Sequence, residues 1–175
     1  MSDDGGKPLT VILVGAPGAG KSSVGRLLAS RLGVPFTDTD DLVAKDAGKP
    51  VGDIFVEDGE QVFRELERAA VARGLEAAGP DGGVVALGSG AVLDIEIRQL
   101  ISRSTVVYLE AAFATVAKRS GMDKPRVVLP GNPRGMLRAM LDERRPIYAD
   151  VAGLTVATDG MAPEEVADDL ARQLS

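Results

Sequence analysis

Six successive residues, Leu9-Thr10-Val11-Ile12-Leu13-Val14, are apolar or β-branched with no polar alternation. An unbroken run of this kind marks a strand covered on both faces, as in a parallel sheet. The period then changes: Val24, Leu27, Leu28 and Leu32 fall on one face of a helix that starts at Lys21 and stops at Gly33. The same change recurs along the chain. Residues 35–37 read as a short strand, 40–47 and 52–56 as helical pieces, and Glu60–Ala78 as a longer helix turning Val62, Phe63, Leu66 and Ala70 inward. A third strand over 83–87 is followed by a helix near 94–101, a fourth strand over 105–109 and a helix over 112–119. Residues 121–135 hold three Gly and three Pro and read as a loop. A helix over 136–145, a fifth strand over 154–157 and a last helix opened by Pro163, with Val166, Leu170 and Leu174 inward, complete the pattern.

Five strands alternating with helices predict an α/β fold: a five-stranded parallel sheet with helices on both faces, in three layers. In such sheets ligands bind beyond the carboxyl ends of the strands. Three unusual segments fall at such ends: 15–22, 38–40 and 88–90. With 175 residues, the chain is expected to form a single domain over 1–175.

Composition narrows the chemistry. There is no histidine and no cysteine, so imidazole and thiolate metal sites are excluded, and proton transfer must fall to a carboxylate, Lys or Tyr. A net charge of −6 argues against a nucleic-acid partner. That balance is uneven, because residues 118–145 carry eight Lys/Arg against three Asp/Glu, a cationic stretch that is either an ordinary solvated face or a match for an anionic ligand. No apolar run approaches the roughly 18 residues a membrane span needs, and the acidic Met1-Ser2-Asp3-Asp4-Gly5-Gly6 is unlike a signal peptide. The expectation is a cytoplasmic protein with no membrane partner. With only 3% aromatic residues there is no obvious interface cluster, and a monomer is expected.

Gly15-Ala16-Pro17-Gly18-Ala19-Gly20-Lys21-Ser22 fits G-x-x-x-x-G-K-[ST] between a buried strand and an amphipathic helix. Glycines let backbone N–H groups wrap a phosphate, Lys21 neutralises β/γ-oxygens, and the Ser22 hydroxyl is placed to ligate Mg²⁺. The helix that follows, with Ser23 in its first turn, presents its N-terminus to the anion. The N-K-x-D element that reads guanine is absent, which favours ATP. Asp38 and Asp40 lie two apart at a strand end, where one carboxylate can approach Mg²⁺ and the other an attacking hydroxyl. Asp in that position also commonly caps the following helix.

The chain resembles the shikimate kinase family over nearly its whole length. The resemblance rests on the phosphate loop continued by Ser23-Val24-Gly25 and on Phe36-Thr37-Asp38-Thr39-Asp40. It is completed by Phe63-Arg64-Glu65-Leu66-Glu67, the turn Gly88-Ser89-Gly90 and Arg144-Arg145-Pro146-Ile147-Tyr148. It implies a P-loop NTPase fold like that of nucleoside-monophosphate kinases, a substrate-binding subregion at about 38–75 and a mobile lid at about 120–135. The implied reaction is transfer of the γ-phosphoryl group of MgATP to the 3-hydroxyl of shikimate, in the route to chorismate. By resemblance, Asp38 joins Ser22 at Mg²⁺, and Asp40 binds substrate hydroxyls and serves as base. Arg64, held by Glu67, and Arg144 grip the substrate carboxylate. Arg126 of the lid reaches the transferred group, Arg119 stacks on adenine, and the 158–163 loop with Pro163 borders the base. Ser89 stands where the family has a glycine; its Cβ would crowd the substrate or its hydroxyl would add a contact. The alternatives are a kinase for another hydroxy acid or cyclitol, such as gluconate, and a non-catalytic ATP-binding module.

Overall fold

The computed structural model of the chain describes residues 9–120 and 131–175. Val11, Ile12, Leu13 and Val14 are at most 1% exposed, so β1 (Thr10–Val14) is covered on both faces, as its unbroken apolar run predicts. It is the central strand. β1 pairs in parallel with β3 (Gly83–Ala86) on one side and with β4 (Thr105–Glu110) on the other. β2 (Phe36–Asp38) lies outside β3 and β5 (Leu154–Ala157) outside β4, giving the order β2-β3-β1-β4-β5. The register sets Leu13 and Asp38 level with Ala86. The chain therefore leaves β1, β2 and β3 at one height, and the three segments singled out in the sequence emerge side by side.

Side-chain alternation along the strands feeds two cores. On one face α1 (Lys21–Leu32), α6 (Phe113–Arg119), the first half of α7 (Pro133–Val151) and α8 (Pro163–Leu174) cover Val11, Leu13, Val107 and Leu109. On the other, α4 (Glu60–Ala78), α5 (Ile95–Ile101) and the end of α7 cover Ile12, Val14, Val85 and Tyr108. A smaller core of Val43, Ile54, Phe63 and Ala70 joins α4 to α2 (Thr39–Ala47) and α3 (Val51–Asp58). Among the described residues no helix is long and apolar enough to cross a membrane.

Three expectations change. α7 begins at Pro133, with the Asn132 side chain accepting from the Gly135 N–H at 3.0 Å, so residues 133–135 are helix rather than loop. α7 also runs through Pro146 to Val151 instead of stopping at Arg145. Pro146 and Asp142, whose carbonyl would have accepted from residue 146, are both exposed, so water can serve that carbonyl and the helix survives. The inward face of α4 is Phe63, Glu67, Ala70, Val71, Gly74 and Ala78; Val62 is 39% exposed, and a carboxylate takes the core position.

Candidate active site

Gly20 adopts φ 93°, a left-handed conformation that turns the chain from β1 into α1. No side chain caps α1, so its first-turn N–H groups stay available to an anion. Lys21 folds back over the loop, its Nζ donating to the carbonyls of Gly15 and Ala16 at 2.9 Å each. Burial pushes its pKa down to about 8, against the opposing pull of Asp40 and Asp38. A 300 Å³ cavity opens over the loop, lined by Pro17, Gly18, Gly20 to Ser23, Asp38, Asp40 and Ser89 among others.

β2 ends on Asp38, and α2 carries Asp40 in its first turn. Asp38 caps α2, its Oδ1 accepting from the Asp40 N–H at 2.9 Å, while its Oδ2 accepts from the Ser22 hydroxyl. The pair expected at Mg²⁺ is thus already joined by a hydrogen bond. Asp40 is pushed above the usual carboxylate range by burial and by Asp38, with Lys21 opposing. Between them Thr39, fully buried, accepts from the Gly88 N–H at 3.2 Å and ties this segment to the turn after β3.

That turn is the hinge of the site. A Cβ built at Gly88 would lie 2.7 Å from Asp40 Oδ1 and 3.1 Å from Glu67 Oε2. One built at Gly90 would lie 3.3 Å from Arg64 Nη1 and 3.4 Å from Arg144 Nη2. Two guanidiniums, one from α4 and one from α7, therefore converge over a single glycine. Arg64 donates to Glu67 Oε1 at 2.9 Å and to the Gly90 carbonyl at 3.3 Å, and its guanidinium stands 5.5 Å and 6.0 Å from the ring centroids of Phe63 and Phe55. Burial raises the pKa of Glu67, with Arg64 holding it back. Arg144 has no carboxylate partner among the described residues; its Nη1 donates to the Ser89 hydroxyl at 3.2 Å. The Ser89 carbonyl in turn accepts from the Tyr148 hydroxyl at 2.5 Å. Ser89 thus braces an arginine.

A second cavity of 310 Å³ adjoins the loop, sharing Gly18, Gly20 and Ser23 with the first, and is walled by Arg119, Thr158, Met161, Pro163 and Val166. Arg119 Nη1 donates to the Gly18 carbonyl at 2.8 Å. The expected adenine neighbours Arg119 and Pro163, 44 residues apart by their numbers, meet here. Arg126 and most of the expected lid lie outside the described residues. The sequence pattern does not mark Thr39, Phe55 or Tyr148 individually; Thr39 and Tyr148 sit within the motifs at 36–40 and 144–148, and Phe55 has no signal beyond its aromatic character.

Comparison with known proteins finds relatives over nearly the whole chain. A family profile described as shikimate kinase matches residues 17–175. A shikimate kinase of Thermobifida fusca is 54% identical over 96% of this chain and 95% of its own length. The solved structure of a shikimate kinase from Acinetobacter baumannii, in complex with shikimate, superposes with a TM-score of 0.84 at 32% identity, covering 96% of this chain and 94% of that one. A gluconokinase from Sinorhizobium meliloti has a TM-score of 0.57 at 21% identity over 95% of each chain, a likeness of fold alone. The chain belongs to the shikimate kinase family.

Proposed function

We propose that the chain transfers the γ-phosphoryl group of ATP to the 3-hydroxyl of shikimate, giving shikimate 3-phosphate and ADP. The observation that carries the substrate is the convergence of Arg64 and Arg144 over Gly90, beside Asp40 and the phosphate loop. Two planar guanidiniums suit a carboxylate, and a carboxylate base nearby suits a hydroxyl. Phosphoryl transfer asks the protein chiefly for alignment and charge neutralisation.

The residues divide that work. The loop from Gly15 to Ser23 wraps the phosphates, and Lys21 exchanges the Gly15 and Ala16 carbonyls for phosphate oxygens. The base of the nucleotide takes the cavity walled by Arg119 and Pro163. Arg64, kept in place by Glu67, and Arg144, kept in place by Ser89, hold the carboxylate of the acceptor, while Gly88 and Gly90 let the ring approach. Asp40 accepts the hydroxyl proton as the oxygen bonds to the γ-phosphorus and the bond to the bridging oxygen breaks; its raised pKa makes it a better acceptor than an ordinary aspartate. Arg126 completes the charge neutralisation on the transferred group.

Ser22 and Asp38 offer two hard oxygen donors at one place, the kind Mg²⁺ prefers. Among the described residues no group of three or more His, Cys, Asp or Glu could hold a metal, so phosphate oxygens and water would supply the rest of its shell. The ion would neutralise charge on the β- and γ-phosphates. We further propose a single-domain monomer acting in the cytoplasm, a reading that rests on the chain length and the low aromatic content. The test is ADP release from MgATP, by coupled assay, with shikimate, with gluconate and other hydroxy acids, and with no acceptor. Shikimate-dependent release is expected. Equal release with several acceptors would refute the substrate, and none with any would leave only an ATP-binding module.

A further inference from the structure

α6 is a short helix preceded by Ala112, a residue with no side chain able to cap it. Its cap comes from far along the chain. Asp159, in the turn between β5 and α8, accepts from the Ala112 N–H at 3.0 Å through Oδ1 and at 3.3 Å through Oδ2, and from the Thr115 hydroxyl at 2.5 Å. These bonds span 44 to 47 residues. The hydroxyl of Thr115 and the Ala112 N–H hold the Asp159 carboxyl below the usual carboxylate range, consistent with an anion at a helix start. Its neighbour Thr158 grips the same turn from the other side, its N–H and hydroxyl donating to the Glu110 carbonyl at 2.9 Å and 3.0 Å. The two residues clasp the passage from β4 into α6.

What the clasp joins is the wall of the 310 Å³ cavity. Thr158 and Met161 come from the loop on which Asp159 sits, Pro163 opens the helix directly after it, and Arg119 is the last residue of α6. One wall rides on the loop, the other on the helix. Within the described residues Asp159 is the side chain that bonds the loop directly to the helix's first turn.

We propose that Asp159 is a positioning residue for the base of the nucleotide: by pinning the β5–α8 loop to the first turn of α6, it fixes the spacing between Arg119 and the Met161–Pro163 wall. This rests on the assignment of that cavity to the base.

The test measures KM for ATP, KM for shikimate and kcat in Asp159→Ala and Asp159→Asn, with inhibition by magnesium tripolyphosphate, which fills the phosphate loop but has no base. Asp159→Ala should raise the KM for ATP about fivefold, the effect of losing a helix cap, with kcat and the KM for shikimate within twofold. Asp159→Asn, which keeps an acceptor oxygen, should recover most of that loss. Tripolyphosphate should inhibit wild type and variant alike. Where Asp159→Ala fails to fold, Thr115→Val, which removes one donor, reads the same split at about twofold. An unchanged KM for ATP, or equal rises for both substrates, overturns the proposal. So does an equal loss for ATP and tripolyphosphate, which would place the effect at the phosphate loop while leaving the base assignment intact. If wild type binds ATP no better than tripolyphosphate, the base assignment itself fails.

Discussion

A methyl group at Gly88 and one at Gly90 press on different parts of the proposed machinery, and together they test whether the turn after β3 separates chemistry from binding. Neither glycine has positive φ, so alanine can adopt both backbone conformations and only space decides. At Gly88 the new carbon meets Asp40 Oδ1 at 2.7 Å, about 0.7 Å inside the 3.4 Å at which ordinary contact begins. The Asp40 backbone is held by Asp38, so its carboxylate must swing aside. Misplacing a reacting group by about 1 Å can cost about a hundredfold in rate, so Gly88→Ala should lower kcat by about ten- to a hundredfold. At Gly90 the contacts are with the guanidinium ends of Arg64 and Arg144 at 3.3 Å and 3.4 Å, which both side chains can relieve. The methyl nevertheless occupies the space between them, so the KM for shikimate should rise about tenfold with kcat within about threefold. A coupled ADP assay with both substrates varied reads the split, with circular dichroism and melting curves confirming the fold. Wild-type kcat in Gly88→Ala, or the same change in both variants, would refute the separation.

Two substitutions probe single side chains. Asp40→Asn keeps the shape and removes the proton acceptor, so kcat should fall at least about a hundredfold while the Kd for ATP holds; a mild loss would reduce Asp40 to a binding residue. Ser89→Gly removes the hydroxyl that braces Arg144, at a half-exposed site, and should raise the KM for shikimate about two- to fivefold without touching that for ATP. A lower KM would mean instead that Ser89 crowds the substrate.

How far the sequence reaches is visible in particular residues. The five strands and the bounds Glu60–Ala78 of α4 follow from hydrophobic period alone, because burial on both faces or on one stripe leaves a local imprint. The inward face of α4 does not. Glu67, 1% exposed, sits four residues after Phe63 and three before Ala70, and apolar pattern cannot reveal a carboxylate that enters the core with an arginine partner. Pro146 is a strong local stop signal that fails because its lost hydrogen bond falls on the wet side of α7. The phosphate loop, the aspartates and the two arginines proposed to hold the substrate were legible as motifs. Asp159 and the Tyr148–Ser89 bond were not, since contacts spanning 44 to 59 residues leave no local trace.

Burial decides which of these groups set the response to pH. Tyr148 anchors the Ser89 carbonyl, and burial pushes its pKa up to about 12, so this brace does not titrate in any workable assay. Lys21 is the opposite case: pushed down to about 8, it loses its proton as pH rises through that value in the free enzyme. Triphosphate binding adds negative charge beside Nζ and favours the protonated form, moving the transition upward in the complex. The kcat/KM for ATP, which reports the free enzyme, should therefore fall above about pH 8, while kcat stays level to higher pH. Isothermal titration near pH 8 should show net proton uptake on ATP binding, with an enthalpy that depends on the buffer. Lys21→Arg replaces the amine with a group that does not titrate, so its kcat/KM for ATP, however reduced, should lose the alkaline limb. A flat profile for wild type from pH 7 to 9.5, or a limb that persists in Lys21→Arg, would show that another group controls the nucleotide, and the desolvation of Lys21 would then be a property of the fold without consequence for catalysis.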